Sequence, residues 1–293
     1  MSIVEVGISG WTYDGWRGSF YPKKLSHKHE LEFASRQLPT IEINGTFYAL
    51  QRPSSYQHWY ESTPQDFVFS VKANRYITHI KKLNDIEIPM ANFLASGPLA
   101  LKEKLGPFLW QFPPSMSFDP DKFEKFLKLL PVDFKAASKL AKKSELPKER
   151  QYLKVDTNYR IRHAVEVRNN TFLNPWFVEL LREHNVAIVF ADTAGRWPYF
   201  EDITADFVYI RLHGDEELYV SGYDDDALDF WSERIKAWKD GYQPKDKLTM
   251  TDDSIPNIER DVYVYFDNDA KVRAPVDAKG LIHRLEGDRH VDL

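Results

Sequence analysis

The chain has 293 residues, of which 43% are hydrophobic and 14% aromatic, so it can bury a large core and is not intrinsically disordered. It contains no cysteine, which excludes disulfides, thiolate nucleophiles and cysteine-ligated zinc or iron–sulfur clusters. The formal net charge of −5 gives no global attraction to nucleic acid. No signal sequence and no long apolar run is evident, which predicts a soluble cytoplasmic protein with no membrane partner.

Eight short strand patterns follow one another along the chain, and most are separated by helical patterns. The predicted strands are 4–9, 40–48, 67–72, 108–112, 164–167, 187–192, 207–212 and 261–266. The predicted helices are 25–38, 54–62 (capped by Ser54 or Ser55), 90–105 with a break at Gly97-Pro98, 121–130, 176–184, 226–239 and 274–285. About fourteen residues separate strands six and seven, barely enough for a crossover, so little or no helix is expected there.

One stretch departs from this alternation in its charge. Between Lys135 and Arg162 there are nine Lys or Arg but only three Asp or Glu, with few strongly apolar residues. We expect a basic surface excursion at about 133–162 that contains one helix. A solvated surface is favoured over a binding patch. No linker divides the chain, so 1–293 is predicted to be a single domain.

The strand–helix alternation predicts parallel βαβ units, either in a closed (β/α)8 barrel or in an open doubly wound sheet. Doubly wound sheets usually carry a glycine-rich phosphate loop after the first strand, and no G-x-G-x-x-G opens a helix here. Polar residues recur on one face of most strands, and in a barrel these faces converge on one axis. The fold class is therefore predicted to be α/β, a TIM-like barrel.

The clearest polar face is on strand seven. Side chains alternate along a strand, so Tyr209, Arg211 and His213 share one face, opposite Ile210 and Leu212. Other strands also end in polar residues, which predicts one shared pocket at the carboxyl ends of the strands. These residues are Glu42, Asn44, Lys72, Gln111, Glu166, Arg168 and Asp192.

Several motifs in order along the chain resemble the "domain of unknown function 72" (YecE-like) family. The matching segments are 7–13 (GISGWTY), 16–22 (WRGSFYP), 42–48 (EINGTFY), 69–72 (FSVK), 78–79 (TH), 111–114 (QFPP), 166–168 (EVR), 209–214 (YIRLHG) and 266–269 (FDND). The resemblance implies a TIM-like barrel but no established activity. Asn169 and Asp267 depart from the family pattern, in which His and Asn are common at these positions.

Four residues are candidates for catalysis: Glu42, Lys72, Glu166 and His213. Their carboxylates lie among cations, which indicates either a self-neutralising ion network or a pre-organised site. Lys72 could form a Schiff base if it is buried beside other cations, but an ion pair with Glu42 is favoured. His213, and with weaker support His79, could transfer protons.

A second group is expected to bind the substrate. Arg168 and Arg211 would hold an anion, because guanidinium matches phosphate or carboxylate bidentately. Aromatic side chains at the rim could stack on a ligand or could form a hydrophobic lid. The amides are Asn44, Gln111 and Asn268, and the rim aromatics are Trp11, Tyr13 and Tyr48.

No metal and no cofactor is expected. Glu42, Glu166, Asp192 and His213 could offer ligands, but cations crowd the carboxylates and one histidine is too few for a firm zinc site. The favoured hypothesis is a hydrolase-like enzyme acting on an anionic or phosphorylated small molecule. The alternatives are a nucleic-acid phosphodiesterase or endonuclease-like protein and a non-catalytic anion- or sugar-binding barrel. The sequence does not indicate an oligomeric state.

Overall fold

A computed structural model describes residues 2–219, 221–252, 255–268 and 272–287. In this part of the chain, parallel strands pair in sequence order and close into a barrel, with the last strand paired to the first. The strands are β1 (Val4–Ser9), β2 (Thr40–Ile43), β3 (Val68–Lys72), β4 (Leu105–Gln111), β5 (His163–Glu166), β6 (Ala187–Asp192), β7 (Phe207–Leu212) and β8 (Asp261–Phe266). The predicted TIM-like α/β barrel is confirmed.

Helices surround the barrel. They are α1 (Glu30–Ala34), α2 (Gly45–Tyr48), α3 (Pro53–Ser62), α4 (Glu87–Ala95), α5 (Pro120–Leu129), α6 (Phe134–Ala141), α7 (Pro175–Glu183), α8 (Asp225–Lys239) and α9 (Arg273–Glu286). Short 3-10 turns (Asp14–Trp16, His27–His29, Pro98–Lys104, Lys148–Arg150, Asn170–Phe172) and a π turn (Tyr76–Ile80) complete the connections. No helix of the described part is long and apolar enough to cross a membrane.

Asparagine and aspartate caps fix where several helices begin. Asp119 accepts a hydrogen bond from the Lys122 amide at 3.1 Å, and Asn174 accepts one from Trp176 at 2.9 Å. A proline follows each of these two caps, at the position where a missing N–H leaves no hydrogen bond unmade.

Strand side chains divide the apolar residues into two clusters. Ile210 and Leu212 belong to the large cluster between the barrel and its helices. Tyr209 belongs to a smaller cluster inside the barrel, together with Leu109 and Val189. This is the alternation expected for β7, and it turns Arg211 inward.

The end of β2 differs from the prediction. The strand stops at Ile43, and Asn44 has helical dihedral angles (φ −90°, ψ −25°) and precedes α2. Thr46 stabilises this turn, because its hydroxyl donates to the carbonyls of Ile43 at 3.0 Å and of Lys72 at 2.6 Å. Asn44 therefore does not extend the face that carries Glu42.

The next helix also begins earlier than its predicted cap. Arg52 precedes α3, and Pro53 occupies the first turn, so neither Ser54 nor Ser55 caps the helix. Proline is favoured at this position because its fixed φ already suits a helix.

The basic stretch at 133–162 is packed more closely than a surface excursion. It contains α6, as predicted, and this helix buries Phe134, Ala137 and Ala141. The Tyr152 amide donates to the Ala95 carbonyl at the end of α4, at 2.7 Å. One face of the stretch is therefore part of the helical layer, because small apolar residues at helical spacing give α6 a buried side.

The connection between β6 and β7, residues 193–206, contains no helix, as predicted. Thr204 holds it against the barrel, since its hydroxyl accepts from the Ile188 amide at 2.8 Å and donates to the Val186 carbonyl at 2.7 Å.

Candidate functional site

Arg211 lies at the centre of the charged site and is fully buried. Its Nε and Nη2 atoms donate to the two oxygens of Glu42, at 3.1 and 2.8 Å. Its Nη1 donates to Glu166 at 2.7 Å, and its Nη2 also donates to Asp267 at 2.7 Å. Three carboxylates from the ends of β2, β5 and β8 therefore converge on one guanidinium.

The partners of the Arg211 guanidinium lie within the protein, and its expected binding of an external anion stays a prediction. Beyond the carboxylates, Nη2 lies 3.2 Å from the Ser9 hydroxyl, and Nη1 lies 3.3 Å from Nε2 of His213. These contacts occupy all the N–H groups of a guanidinium, which has five donors. Arg211 holds the carboxylates together.

Neutral and charged donors orient the two glutamates. Glu42 accepts from Ser9 at 2.5 Å and from Tyr209 at 2.6 Å. Both oxygens of Glu166 accept from Gln111, at 2.9 and 3.0 Å, and Oε1 also accepts from Nε of Arg168 at 2.8 Å. Gln111, expected to contact substrate, therefore positions Glu166.

Burial alone would raise the pKa of Glu166. The guanidinium groups of Arg168 and Arg211 overcome this and hold its pKa well below the usual value. Glu166 is thus a stable carboxylate at neutral pH and not a proton donor.

Asp267 is the site residue that sequence reasoning missed. It follows β8 directly, as Arg168 and Asn44 follow their strands, so its place at a strand end was the signal that could have identified it. Burial opposes its ionisation, but the charge of Arg211 holds its pKa below the usual value. Its Oδ2 lies 3.1 Å from Nδ1 of His213, within ion-pair distance although the two are not aligned as a hydrogen bond.

His213 is enclosed beneath the mouth of the barrel. It is fully buried, and the ring of Tyr219 meets it edge-on at 5.3 Å. Burial, followed by the charge of Arg211, lowers the pKa of His213, so the imidazole is neutral at pH 7. His213 contacts Arg211 and Asp267, and this contact gives it a structural role beside its candidate role in proton transfer.

Lys72 ends β3 and is 8% exposed. Within the described residues, its Nζ makes no hydrogen bond and has no carboxylate within 4.0 Å. The favoured ion pair between Lys72 and Glu42 is therefore not observed, because Arg211, Ser9 and Tyr209 already occupy the Glu42 oxygens. The ammonium makes a cation–π contact with the ring of Phe47, whose centroid lies 4.5 Å from Nζ.

The pKa of Lys72 is lowered to about 8 by burial, and then by the charge of Arg211. Glu42, Glu166 and Asp267 act in the opposite direction but do not compensate. An almost buried lysine in this state is a stronger nucleophile at neutral pH than an ordinary one.

His79 and Lys72 share one neighbour. The His79 ring meets Phe47 edge-on at 5.0 Å, and its Nδ1 lies 2.8 Å from the hydroxyl of Thr78. Burial, and then the charges of Lys72 and Arg168, lower the pKa of His79 to about 4. It is therefore a neutral imidazole at pH 7.

Arg168 forms another wall of the mouth. Its guanidinium stacks on Trp197 at 3.7 Å, and Nη2 donates to the Tyr219 hydroxyl at 3.2 Å. Among the described residues, its Nη1 makes no hydrogen bond. Unlike Arg211, Arg168 keeps a donor for a ligand.

The expected rim aromatics differ in their surroundings. Trp11 packs edge-on against Trp59 at 5.5 Å, and the Tyr13 hydroxyl donates to the Ser9 carbonyl at 2.5 Å. Tyr48 is 71% exposed. Trp11 and Tyr13 thus support the loop itself, whereas Tyr48 is accessible to a ligand.

The remaining amides also differ. Asn268 is fully buried and donates to Asp277 of α9 at 2.8 Å, a contact that ties the end of β8 to this helix, and its role in substrate binding stays a prediction. Asn44 keeps a buried Oδ1 that has no partner among the described residues. Asn44 therefore stays a candidate ligand.

The side chains considered as metal ligands take partners within the protein. Glu42, Glu166 and His213 all contact Arg211, and Asp192 accepts from the Tyr223 hydroxyl at 2.9 Å. In the residues that the structure describes, no three His, Asp or Glu side chains are placed to share a metal ion.

Known proteins match this chain along most of its length. The family model "Protein of unknown function DUF72" matches residues 5–292. The UPF0759 protein YecE of Escherichia coli strain K12 is 24% identical over 243 residues, which cover 80% of this chain and 82% of YecE. The UPF0759 protein YunF of Bacillus subtilis is 31% identical over 120 residues, and that match spans 38% of this chain and 40% of YunF.

Solved structures show the same fold. A DUF72 family protein from Thermotoga maritima superposes with a TM-score of 0.71 at 25% identity, covering 97% of this chain and 100% of that one. A DUF72 family protein from Enterococcus faecalis gives a TM-score of 0.70 at 17% identity, covering 97% and 96%. The chain belongs to the DUF72 family of proteins of unknown function.

Proposed function

We propose that this protein is an enzyme that binds an anionic small molecule at the carboxyl end of the barrel, with Lys72 and Arg168 as its anion ligands. One observation carries the proposal: Lys72 is an almost buried cation without a carboxylate within 4.0 Å among the described residues. An unpaired buried charge is unfavourable, so a bound anion would stabilise it.

The distribution of charge supports this choice of ligand. Arg211 contacts the carboxylates of Glu42, Glu166 and Asp267, and Arg168 also contacts Glu166. Lys72 forms an ion pair with none of these three carboxylates. Arg211 therefore compensates the carboxylates directly, and Lys72 is the cation that an added anion would pair with.

Lys72 and Arg168 belong to one site. Both charges act on the carboxylate of Glu166 and on the imidazole of His79, shifting the pKa of each. A small anion between them could be a phosphate or a carboxylate group. Hydrolysis stays a prediction from the sequence alone.

The nucleic-acid alternative has less support. Several cations of the basic stretch are paired within the protein: Lys143 with Glu87, Lys154 with Asp156 and Arg160 with Asp206. Such pairs leave fewer charges to neutralise a phosphate backbone.

Calorimetric titration with inorganic phosphate tests the binding site. We expect Lys72→Met to weaken binding by about 1.5–3 kcal/mol, the range for a hydrogen bond to a charged group. Lys128→Met is the matched control, since Lys128 is exposed on α5 and pairs with Glu124. Equal affinities of the wild type and Lys72→Met would overturn the proposal. Turnover of phosphorylated or oxo-acid substrates would then separate an enzyme from a non-catalytic barrel.

A further inference from the structure

We propose that Lys72 forms a Schiff base with an anionic carbonyl compound, a 2-oxo acid or a phosphorylated aldehyde, whose anionic group is bound by Arg168. This inference rests on the proposed function, because it uses the same mouth of the barrel. It goes further in naming a covalent step and the class of substrate.

The surroundings of Lys72 differ from those of a structural lysine. Lys104 is a useful comparison, because it is also buried, at 4% exposure. Its Nζ donates to the carbonyls of Tyr60 and Thr63, at 2.6 and 2.9 Å, and to the Thr63 hydroxyl at 3.1 Å. Lys72 has no such acceptors among the described residues, so no hydrogen bond stabilises its ammonium form against the neutral, nucleophilic amine.

The protonation state of the Lys72 amine also suits nucleophilic attack. With a pKa of about 8, produced by burial and by Arg211, Lys72 is neutral in about one tenth of the molecules at pH 7. An unperturbed lysine is neutral in far fewer. Burial, and then the charge of Arg211, therefore activates the amine, and most molecules keep the positive charge that attracts an anionic substrate.

The step balances without an oxidant or a reductant. The lone pair of neutral Nζ attacks the carbonyl carbon, the C–N bond forms as the C=O π pair moves to oxygen, and one Nζ proton is passed to that oxygen to give a carbinolamine. The second Nζ proton is passed to the hydroxyl, the nitrogen lone pair forms the C=N bond, and the C–O bond breaks to release water. Neutral His79, packed on the same Phe47 ring as Lys72, is the imidazole available to accept and return a proton.

Arg168 provides the contact for the anionic group. Its Nε is fixed by Glu166 at 2.8 Å and its plane by stacking on Trp197 at 3.7 Å. Its Nη1 has no partner among the described residues. A carboxylate or phosphate group could therefore be held while its carbonyl carbon meets Lys72.

Reductive trapping tests the proposal. The full chain is incubated with pyruvate and sodium cyanoborohydride near pH 7, digested, and mapped by mass spectrometry. We expect the reduced adduct on Lys72 and none on Lys104, with labelling of Lys72 at least about tenfold faster than that of exposed lysines. Acetone, which has no anionic group, should label Lys72 poorly.

Phosphate titration and reductive trapping together separate the two proposals. Arginine is not a nucleophile, so Lys72→Arg should lose the adduct at this position, while the phosphate titration of Lys72→Met tests the anion site by itself. Phosphate binding through Lys72 without any adduct on it would overturn the Schiff base and leave the anion site standing. If pyruvate labels Lys72 no faster than exposed lysines, and Lys72→Met binds phosphate like the wild type, both proposals fail.

Discussion

Buried glutamate and lysine side chains have opposite patterns of partners at the two ends of the barrel. At the carboxyl end, Glu166 is paired with two arginines and Lys72 has no carboxylate partner among the described residues. At the amino end, Lys104 is hydrogen-bonded by three oxygens, whereas Oε2 of Glu5 is buried with no partner in the described part.

The pKa values follow from this difference. Cations hold the pKa of Glu166 well below its usual value, while burial, followed by the charges of Asp66 and Asp261, raises that of Glu5 to about 7. A buried carboxyl group therefore stays ionised at neutral pH where cations surround it, as they surround Glu166. Burial alone does not leave a lysine without hydrogen bonds, since Lys104 is buried and donates to three oxygens, whereas Lys72 donates to none among the described residues.

The largest effect is expected at Arg211. Arg211→Leu would leave the buried carboxylates of Glu42 and Glu166, and the less buried one of Asp267, without their common partner, so we expect a loss of about 3–5 kcal/mol in the free energy of unfolding. Urea denaturation measures it. Arg36→Leu is the control, because Arg36 is 55% exposed and pairs with Glu32 on the surface, where such pairs contribute less than about 1 kcal/mol. Equal losses in the two variants would contradict the account.

Lys104→Met is expected to have the next largest effect. It removes the charged donor of the part-buried carbonyls at the end of α3, at a loss of about 2 kcal/mol in the same assay. A variant as stable as the wild type would show that water satisfies these carbonyls, and Lys104 would no longer serve as the contrast to Lys72.

Glu5→Gln tests the amino end through pH. Because the folded pKa is raised from 4.5 to about 7, the unfolded chain ionises first as the pH rises, and the wild type loses stability between these values. The variant should be more stable than the wild type by about 1–2 kcal/mol at pH 8 and nearly equal at pH 4. A cavity of about 920 Å³ beside Glu5 admits solvent, which keeps the expected effect small. A gain that does not depend on pH would contradict this explanation.

Lys72→Met should change stability least. Removing an unpaired, nearly buried charge relieves an unfavourable state, so the free energy of unfolding at pH 7 should change by less than about 1 kcal/mol, or increase. Thermal denaturation of Lys72→Met beside Lys104→Met measures the difference. A loss as large as that of Lys104→Met would show that Lys72 has a structural partner.

The barrel could be predicted from the sequence because each strand is recognised from a pattern of neighbouring residues. Each strand carries an apolar face and turns polar at its carboxyl end, so β6, β7 and β8 were placed at their observed limits. The pairing of charges could not be predicted in the same way. Arg211 and Glu42 lie 169 residues apart, and only the closed barrel brings them together.

Two errors in the site have physical causes. The first error is the ion pair expected between Lys72 and Glu42. Glu42 pairs with Arg211 instead, because the forked guanidinium donates to both carboxylate oxygens where an ammonium cannot. The second error is the omission of Asp267 from the site, although Asp267 follows its strand as the other polar residues do. Alternation predicts which side chains point inward, but not which partners they take.

The most direct test is to titrate Lys72 itself by heteronuclear NMR of the lysine Cε and Nζ nuclei, with its signal assigned by its absence in Lys72→Arg. The account predicts a midpoint near pH 8, moving upward when phosphate is added, because a bound anion stabilises the ammonium. A midpoint at or above the ordinary value of 10.5, unaffected by phosphate, would show that Lys72 is paired within the protein and would contradict the account.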